Sequence, residues 1–88
     1  MKWTIEYSRD ADHFIQAEGI ESDVKRQIEG FLRKLHGESV NIDVKKLKGQ
    51  WKHYFRIRKG KLRIIFFIDT ANRSLYVERI DFRGAAYK

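Results

Sequence analysis

The sequence contains no cysteine and no proline. Without cysteine the chain can form neither a disulfide nor a thiolate metal site, which is typical of proteins in a reducing compartment. The longest unbroken apolar run, Ile64 to Ile68, is far too short to span a bilayer. Because no apolar stretch follows Met1 and Lys2 either, we expect a cytoplasmic protein with no membrane partner.

Acidic residues are missing from the middle of the chain. Between Asp43 and Asp69 there is none, whereas nine Lys or Arg residues fall in that interval. The net charge of +7 is therefore unevenly divided, with −3 on residues 1–43 and +10 on residues 44–88. Like charges in one block repel each other and destabilise a compact chain, so such a segment favours a polyanionic partner: RNA, DNA or an acidic protein.

Motifs for common enzymatic chemistry are also missing. The sequence has no HExxH, no CxxC pair and no glycine-rich phosphate loop, and its three histidines are scattered. We therefore predict no metal site and no small-molecule cofactor. With 88 residues the chain is long enough for one domain, which we place over residues 1–88.

The N-terminal part predicts a strand followed by a helical hairpin. Trp3, Ile5 and Tyr7 alternate with polar residues, as in a half-buried strand. Ser8 can cap a short helix that Gly19 closes, and Ser22 or Asp23 can start a longer one that ends near Gly37. The helices would bury apolar faces with helical spacing: Ala11, Phe14 and Ile15 in the first, and Val24, Ile28, Phe31, Leu32 and Leu35 in the second.

The C-terminal part predicts three strands. Residues 38–50 are interpreted as a connection anchored by Leu47, and strands follow at about 54–58, 62–69 and 75–82. A tight turn at Lys59 and Gly60 joins the first two strands. The order β-α-α-β-β-β predicts an α+β fold, with an antiparallel sheet of about four strands and the helical hairpin packed on one face.

Three arginines are the strongest candidates for a binding site. Arg56 and Arg58 share one face of their strand, and the turn brings Arg63 across from them. Guanidinium groups match phosphate oxygens bidentately and can stabilise charge that develops at phosphorus. An exposed set of solubilising arginines is the alternative for any one of them, but convergence of three favours function.

Four further residues are weaker candidates. Lys52 and His53 precede the second strand, and a histidine there could act as a base, although an ordinary surface histidine is the more common case. Tyr87 could stack on an RNA base or exchange a proton, and Arg83 precedes it in the last segment. A frayed C-terminus is an equally good interpretation of that segment.

The order of these motifs resembles the RelE/ParE superfamily of toxins, and within it the RelE-like mRNA interferases. The matching segments are LKG at 47–49, YFRIR at 54–58, GKLR at 60–63 and RGAAY at 83–87. The resemblance implies a type II toxin that is neutralised by a cognate antitoxin and cuts mRNA in the ribosomal A site. It also implies roles for single residues: Arg56 and Arg58 line the RNA path, Arg63 binds phosphate, Arg83 assists the leaving group and Tyr87 orients the substrate.

The resemblance is incomplete at the general base. Some members of the family have lysines where this chain has Arg56 and Arg58, and an arginine cannot be tuned into a base as a lysine can. Lys52, His53 and Tyr87 therefore remain alternative candidates for that role. Three other functions also stay open: a ParE-like inhibitor that binds DNA gyrase without cutting, a plain RNA-binding module, and a toxin that has lost catalysis.

Overall fold

The computed structural model describes residues 2–82, which form two helices, a short 3-10 helix and five strands. No helix in that range is both long enough and apolar enough to cross a membrane. In chain order the elements are β1 (Thr4–Tyr7), α1 (Arg9–Glu18), α2 (Glu21–Leu35), β2 (Asp43–Lys46), the 3-10 helix (Gly49–Trp51), β3 (Phe55–Lys59), β4 (Leu62–Asp69) and β5 (Ser74–Phe82).

The strands form one mixed sheet in the order β1-β5-β4-β3-β2. β1 runs parallel to β5, and every other neighbouring pair is antiparallel. The α+β class and the preceding helical hairpin are confirmed, but the expected antiparallel sheet of about four strands is corrected to a mixed sheet of five. The additional strand, β2, lies within the segment that was interpreted as a connection.

The helices begin and end close to the predicted positions. The Ser8 hydroxyl accepts a hydrogen bond from the Ala11 N–H at 3.0 Å and caps α1. Gly19 ends α1 with a φ of 64°, a left-handed conformation that suits glycine. α2 starts at Glu21, just ahead of the predicted cap, and has no side-chain cap. Leu35, at the end of the predicted apolar stripe, is 43% exposed.

The main core lies between the helices and one face of the sheet. Its largest fully buried side chain is Phe66, whose ring meets that of Phe31 on α2 at 4.8 Å. Full burial of a side chain of this size stabilises the fold by about 1.5–3 kcal/mol. Leu47 is not part of this core, contrary to expectation. From the same segment, Ile42 and Val44 pack against the core.

The turn between β3 and β4 determines which residues face each other across the two strands. The turn residues are Gly60 and Lys61, one position later than predicted, and Gly60 has a φ of 60°. Lys59 therefore pairs with Leu62, and Arg58 lies directly opposite Arg63. This register brings the predicted arginines to one face of the sheet.

Candidate functional site

The candidate site is the face of the sheet that points away from the helices. Alternate residues of β4, such as Ile64 and Phe66, belong to the helix-side core, so the residues between them point to the opposite side. We call this second surface the arginine face. By strand register it carries Asp43 and Lys45 of β2, Arg56 and Arg58 of β3, Arg63, Ile65 and Phe67 of β4, and Tyr76, Arg79 and Asp81 of β5.

The register arranges eight of these side chains in two neighbouring rows across four strands. Directly paired residues in adjacent strands have Cβ atoms about 4.5–5.5 Å apart, so long side chains within a row can meet. The first row is Asp43, Arg58, Arg63 and Asp81, and the second is Lys45, Arg56, Ile65 and Arg79. The three predicted arginines therefore do share one face, together with Arg79, which sequence reasoning did not single out.

Asp43 forms ion pairs with two of the arginines. Its Oδ2 atom accepts a hydrogen bond from Arg58 Nε at 2.7 Å, and its Oδ1 atom accepts one from Arg56 Nη2 at 3.3 Å. Arg56 is only 7% exposed, and a buried guanidinium needs such a partner because desolvation of an unpaired charge is costly. The mutual repulsion of the arginines is thus partly relieved within the protein.

Arg63 is held differently. Its Nη1 atom donates to the carbonyl oxygens of Gly60 at 2.8 Å and of Leu62 at 3.2 Å, both at the β3–β4 turn. Among residues 2–82 it forms no ion pair. Asp81 lies directly opposite Arg63 on β5 but forms no ion pair with it, so the guanidinium of Arg63 can bind an incoming phosphate group.

An apolar residue underlies the arginines. Ile65 is fully buried, yet it does not belong to the helix-side core. On the arginine face its direct neighbours are Arg56 and Arg79, with Arg63 and Phe67 two positions away along β4. Charges above such an apolar floor interact more strongly than in bulk water because the local dielectric constant is lower.

A β-bulge adds a carboxylate to the same face. Ile65 pairs with Arg79 but Phe66 pairs with Val77, so Glu78 is the extra residue of β5. The Tyr54 hydroxyl donates to Glu78 Oε1 at 3.4 Å. Burial raises the pKa of Tyr54 above its ordinary value, and the charge of Glu78 raises it further. Glu78 was not predicted as a site residue.

Aromatic side chains continue the face beyond the arginines. Tyr54 meets Trp51 at a centroid distance of 5.1 Å and Phe67 at 5.3 Å, and Phe67 meets Tyr76 at 5.4 Å. The four rings form a row next to the guanidinium groups. Aromatic rings and cations side by side are the combination that binds the bases and backbone of single-stranded nucleic acid.

Lys52 and His53 lie at the edge of this surface. Both are exposed and occupy the link between the 3-10 helix and Tyr54, where His53 has a φ of 80°. In the described part of the chain their side chains make no hydrogen bond or ion pair with the arginines. Their proposed roles in RNA binding or as a base stay predictions.

Two of the predicted site residues lie outside the described residues, namely Arg83 and Tyr87. The last described position is Phe82 at the end of β5. The roles that the resemblance implies for Arg83 and Tyr87, assistance to the leaving group and orientation of the substrate, therefore stay predictions. Within residues 2–82 no group of three His, Asp or Glu side chains is arranged to hold a metal ion.

The arginine face was only partly predictable. Alternation along β3 and the glycine turn revealed Arg56, Arg58 and Arg63. Asp43 was missed because its strand was not recognised. Arg79 was missed because the bulge reverses the alternation that Leu75 and Val77 begin, so that Arg79 lies on the arginine face and not on the helix side.

Solved structures provide the comparison, since the sequence matches no family model and no curated protein. A chain of the toxin–antitoxin complex RelBE2 from Mycobacterium tuberculosis is 21% identical with a TM-score of 0.69, covering 94% of this chain and 100% of that one. A chain of the archaeal RelE–RelB complex from Pyrococcus horikoshii is 22% identical with a TM-score of 0.62, covering 98% and 100%. A mutant of YafQ from E. coli is 17% identical with a TM-score of 0.69, covering 99% and 100%.

These likenesses establish the fold. The chain has the architecture of the RelE-type toxins over nearly its whole length, as the sequence motifs implied.

Proposed function

We propose that the protein is the toxin of a type II toxin–antitoxin system and an endonuclease that cuts mRNA on the ribosome. The observation that carries the proposal is Arg63, a guanidinium without an ion pair in residues 2–82, placed directly opposite Arg58 over the apolar floor of Ile65. The RelE-type fold supports the same function.

The proposed reaction is a transesterification within the RNA backbone. The ribose 2′-oxygen loses its proton and forms a bond to the adjacent phosphorus, while the bond from phosphorus to the 5′-oxygen breaks. The products are a 2′,3′-cyclic phosphate and a 5′-hydroxyl end, the leaving oxygen having gained a proton. Arg56, Arg58 and Arg63 stabilise the negative charge of the transition state, for which one well-placed donor is worth about 3 kcal/mol.

The remaining roles follow the family resemblance. Arg83 assists the departing oxygen and Tyr87 orients the nucleotide. The proton acceptor is one of Lys52, His53 and Tyr87, to which the arginine face adds the carboxylate of Glu78. Positioning of a bent mRNA by the ribosome would supply a large part of the acceleration, because a well-oriented intramolecular attack gains several kcal/mol.

The proposed partners are an antitoxin protein, the ribosome and mRNA, in the cytoplasm. Two of the structures with this fold are complexes of RelE with RelB, in which a toxin is bound to its antitoxin. The positive charge between Asp43 and Asp69 suits RNA, and an acidic segment of an antitoxin would be attracted to the same surface.

Incubation of the purified protein with translating ribosomes and with naked mRNA tests the proposal. We expect cuts in the ribosome-bound message, new 5′-hydroxyl ends, and little cutting of naked RNA. Equal cutting of both would remove the ribosome from the mechanism. No cutting of either, together with inhibition in a DNA supercoiling assay, would replace the proposal with a ParE-like gyrase inhibitor.

A further inference from the structure

Asp43 is a residue of the arginine face to which neither the motifs nor the proposed reaction assigns a role. It opens the edge strand β2 and lies directly opposite Arg58. Its two carboxylate oxygens are divided between two arginines, with Oδ2 bound to Arg58 and Oδ1 to Arg56. One carboxylate thus connects two guanidinium groups of β3.

The two arginines differ in how firmly they are held. The Arg56 side chain is 9% exposed, and its Nε atom has no hydrogen-bond partner within residues 2–82. The Arg58 side chain is 51% exposed, so water and ligands reach it. Arg56 therefore depends on Asp43, because a buried charge without its partner is strongly unfavourable. Arg58 can exchange one anionic partner for another at little desolvation cost.

We propose that Asp43 is a positioning residue that keeps Arg56 fixed and holds Arg58 until an RNA phosphate takes its place. When the phosphodiester arrives, Arg58 turns from Asp43 to a phosphate oxygen, while Arg56 stays paired with the carboxylate. The substrate class is a single-stranded RNA backbone, and the proposal rests on the proposed function only in assigning RNA to the arginine face.

Asp43 would affect RNA binding and the positions of the two arginines in opposite ways. The carboxylate competes with phosphate for Arg58, so it weakens RNA binding. The same carboxylate prevents Arg56 and Arg58 from separating through mutual repulsion. Loss of the charge at Asp43 should therefore tighten binding to RNA and at the same time slow its cleavage.

Binding of a short 2′-O-methyl oligoribonucleotide, which cannot be cut by 2′-hydroxyl attack, tests this role in the full-length protein. Asp43→Asn is compared with Asp81→Asn, which removes the same charge from the same row of the arginine face. We expect Asp43→Asn to tighten binding more than Asp81→Asn does.

A double-mutant cycle identifies the arginine involved. In an Arg58→Ala background, Asp43→Asn should change the affinity no more than Asp81→Asn does, because the group that Asp43 releases is gone. An effect of Asp43→Asn that persists without Arg58, or one equal to that of Asp81→Asn in the wild-type background, would overturn the proposal.

Asp43→Asn leaves Arg56 without its partner and can impair folding, so a measurement on the wild-type protein is also needed. In ¹⁵N spectra of the arginine side chains, RNA should shift the Nε–Hε signal of Arg58 and leave that of Arg56 in place. An Arg58 signal that does not respond to bound RNA would contradict the proposal. Asp43→Glu, which keeps the charge, should restore affinity and cleavage toward the wild-type values.

The outcomes separate this proposal from the proposed function. If the protein binds the oligonucleotide as described but cuts no mRNA on ribosomes, the enzymatic function fails and the role of Asp43 stands. If it cuts mRNA and Asp43 behaves like Asp81, the role of Asp43 fails alone. If the wild type does not bind the oligonucleotide even at low salt, the role of Asp43 is overturned.

Discussion

Arg58 and Arg63 face each other directly across β3 and β4, yet their guanidinium groups donate to different acceptors. Arg58 is bound by the carboxylate of Asp43 at 2.7 Å, whereas Arg63 is bound by the carbonyl oxygen of Gly60 at 2.8 Å. A carbonyl group carries no net charge, so of these two arginines only Arg58 has an ion-pair partner. The pair therefore contains one arginine with an ion-pair partner and one without, and this difference leads to separate expectations for the two residues.

Replacement of Arg63 by alanine should abolish most of the activity. Loss of one well-placed donor to a developing negative charge lowers a rate by about 100-fold or more. Arg63→Lys should recover part of this loss, because lysine restores the charge but not the planar, bidentate fork. The rate of mRNA cutting on translating ribosomes, measured at saturating protein, gives the comparison.

Arg26→Ala is the matched control for Arg63. Arg26 lies on α2 with a side chain that is 76% exposed, and its nearest acidic partner is Asp23 at 3.9 Å. The substitution removes the same charge from α2, on the helix side of the sheet, so the cutting rate should stay near that of the wild type. If Arg26→Ala and Arg63→Ala lower the rate equally, net charge rather than the arginine face is responsible.

Ile65 should stabilise the fold as much as a residue of the main core does. It is fully buried beneath the arginines, while its neighbour Ile64 is fully buried on the helix side. Each truncation to valine should lower the free energy of unfolding by about 1 kcal/mol. Urea denaturation of Ile64→Val and Ile65→Val measures both effects. A neutral Ile65→Val would show that the arginine face lacks a packed floor.

Gly60 should be required for its backbone conformation rather than for space. Its φ is 60°, and a Cβ atom built there would meet no atom within 4 Å. Gly60→Ala should lower the free energy of unfolding by about 1–2 kcal/mol because a left-handed conformation strains residues with a Cβ atom. Gly60→Asn should lose clearly less, since asparagine tolerates this conformation. Thermal or urea unfolding of the two variants makes the comparison, and equal losses would argue against strain as the cause.

Tyr54 should ionise at a higher pH than an ordinary tyrosine. Burial is the main reason for its raised pKa, and the charge of Glu78 adds to it. Glu78→Gln should therefore lower the pKa of Tyr54 without returning it fully to the ordinary value of 10.0. Tyrosinate absorbance is measured against pH for the wild type and for Glu78→Gln. Subtraction of the curve for the same protein carrying Tyr54→Phe gives the pKa of Tyr54.

The raised pKa of Tyr54 also predicts how the stability of the protein changes with pH. A group with a raised pKa in the folded state contributes stability that is complete below its unfolded pKa, about 10 for tyrosine, and is lost as the pH rises through the folded pKa. The wild type should thus lose more stability in this alkaline range than Tyr54→Phe does. Parallel declines of the two proteins would contradict the assignment.

The helical hairpin was predictable because its signals are local. Ser8 caps α1 and Gly19 ends it, as the spacing of polar and apolar residues indicated. The buried residues Val24, Ile28 and Phe31 repeat at helical intervals in α2. Each of these features depends on residues within a few positions of one another, so one sequence is enough to recognise them.

The two edge strands of the sheet, β1 and β2, lack such local signals for their places in the sheet. β2 contains a single inward apolar residue, Val44, among charged residues, so its sequence lacks the alternation that marks a strand. β1 joins the sheet by parallel pairing with β5, about seventy residues away, for example Ile5 with Leu75. Such pairings depend on the packing of the whole chain, and the placement of Asp43 beside Arg56 and Arg58 depends on them as well.

The most direct test of the central claim is to map RNA ends in cells that express the wild type, Arg63→Ala or Arg83→Ala. We expect the wild type to arrest growth and to produce new 5′-hydroxyl ends within translated messages. Both variants should produce far fewer of these ends and relieve the arrest. Growth arrest by all three proteins, with no new 5′-hydroxyl ends, would contradict an arginine-dependent cut in mRNA.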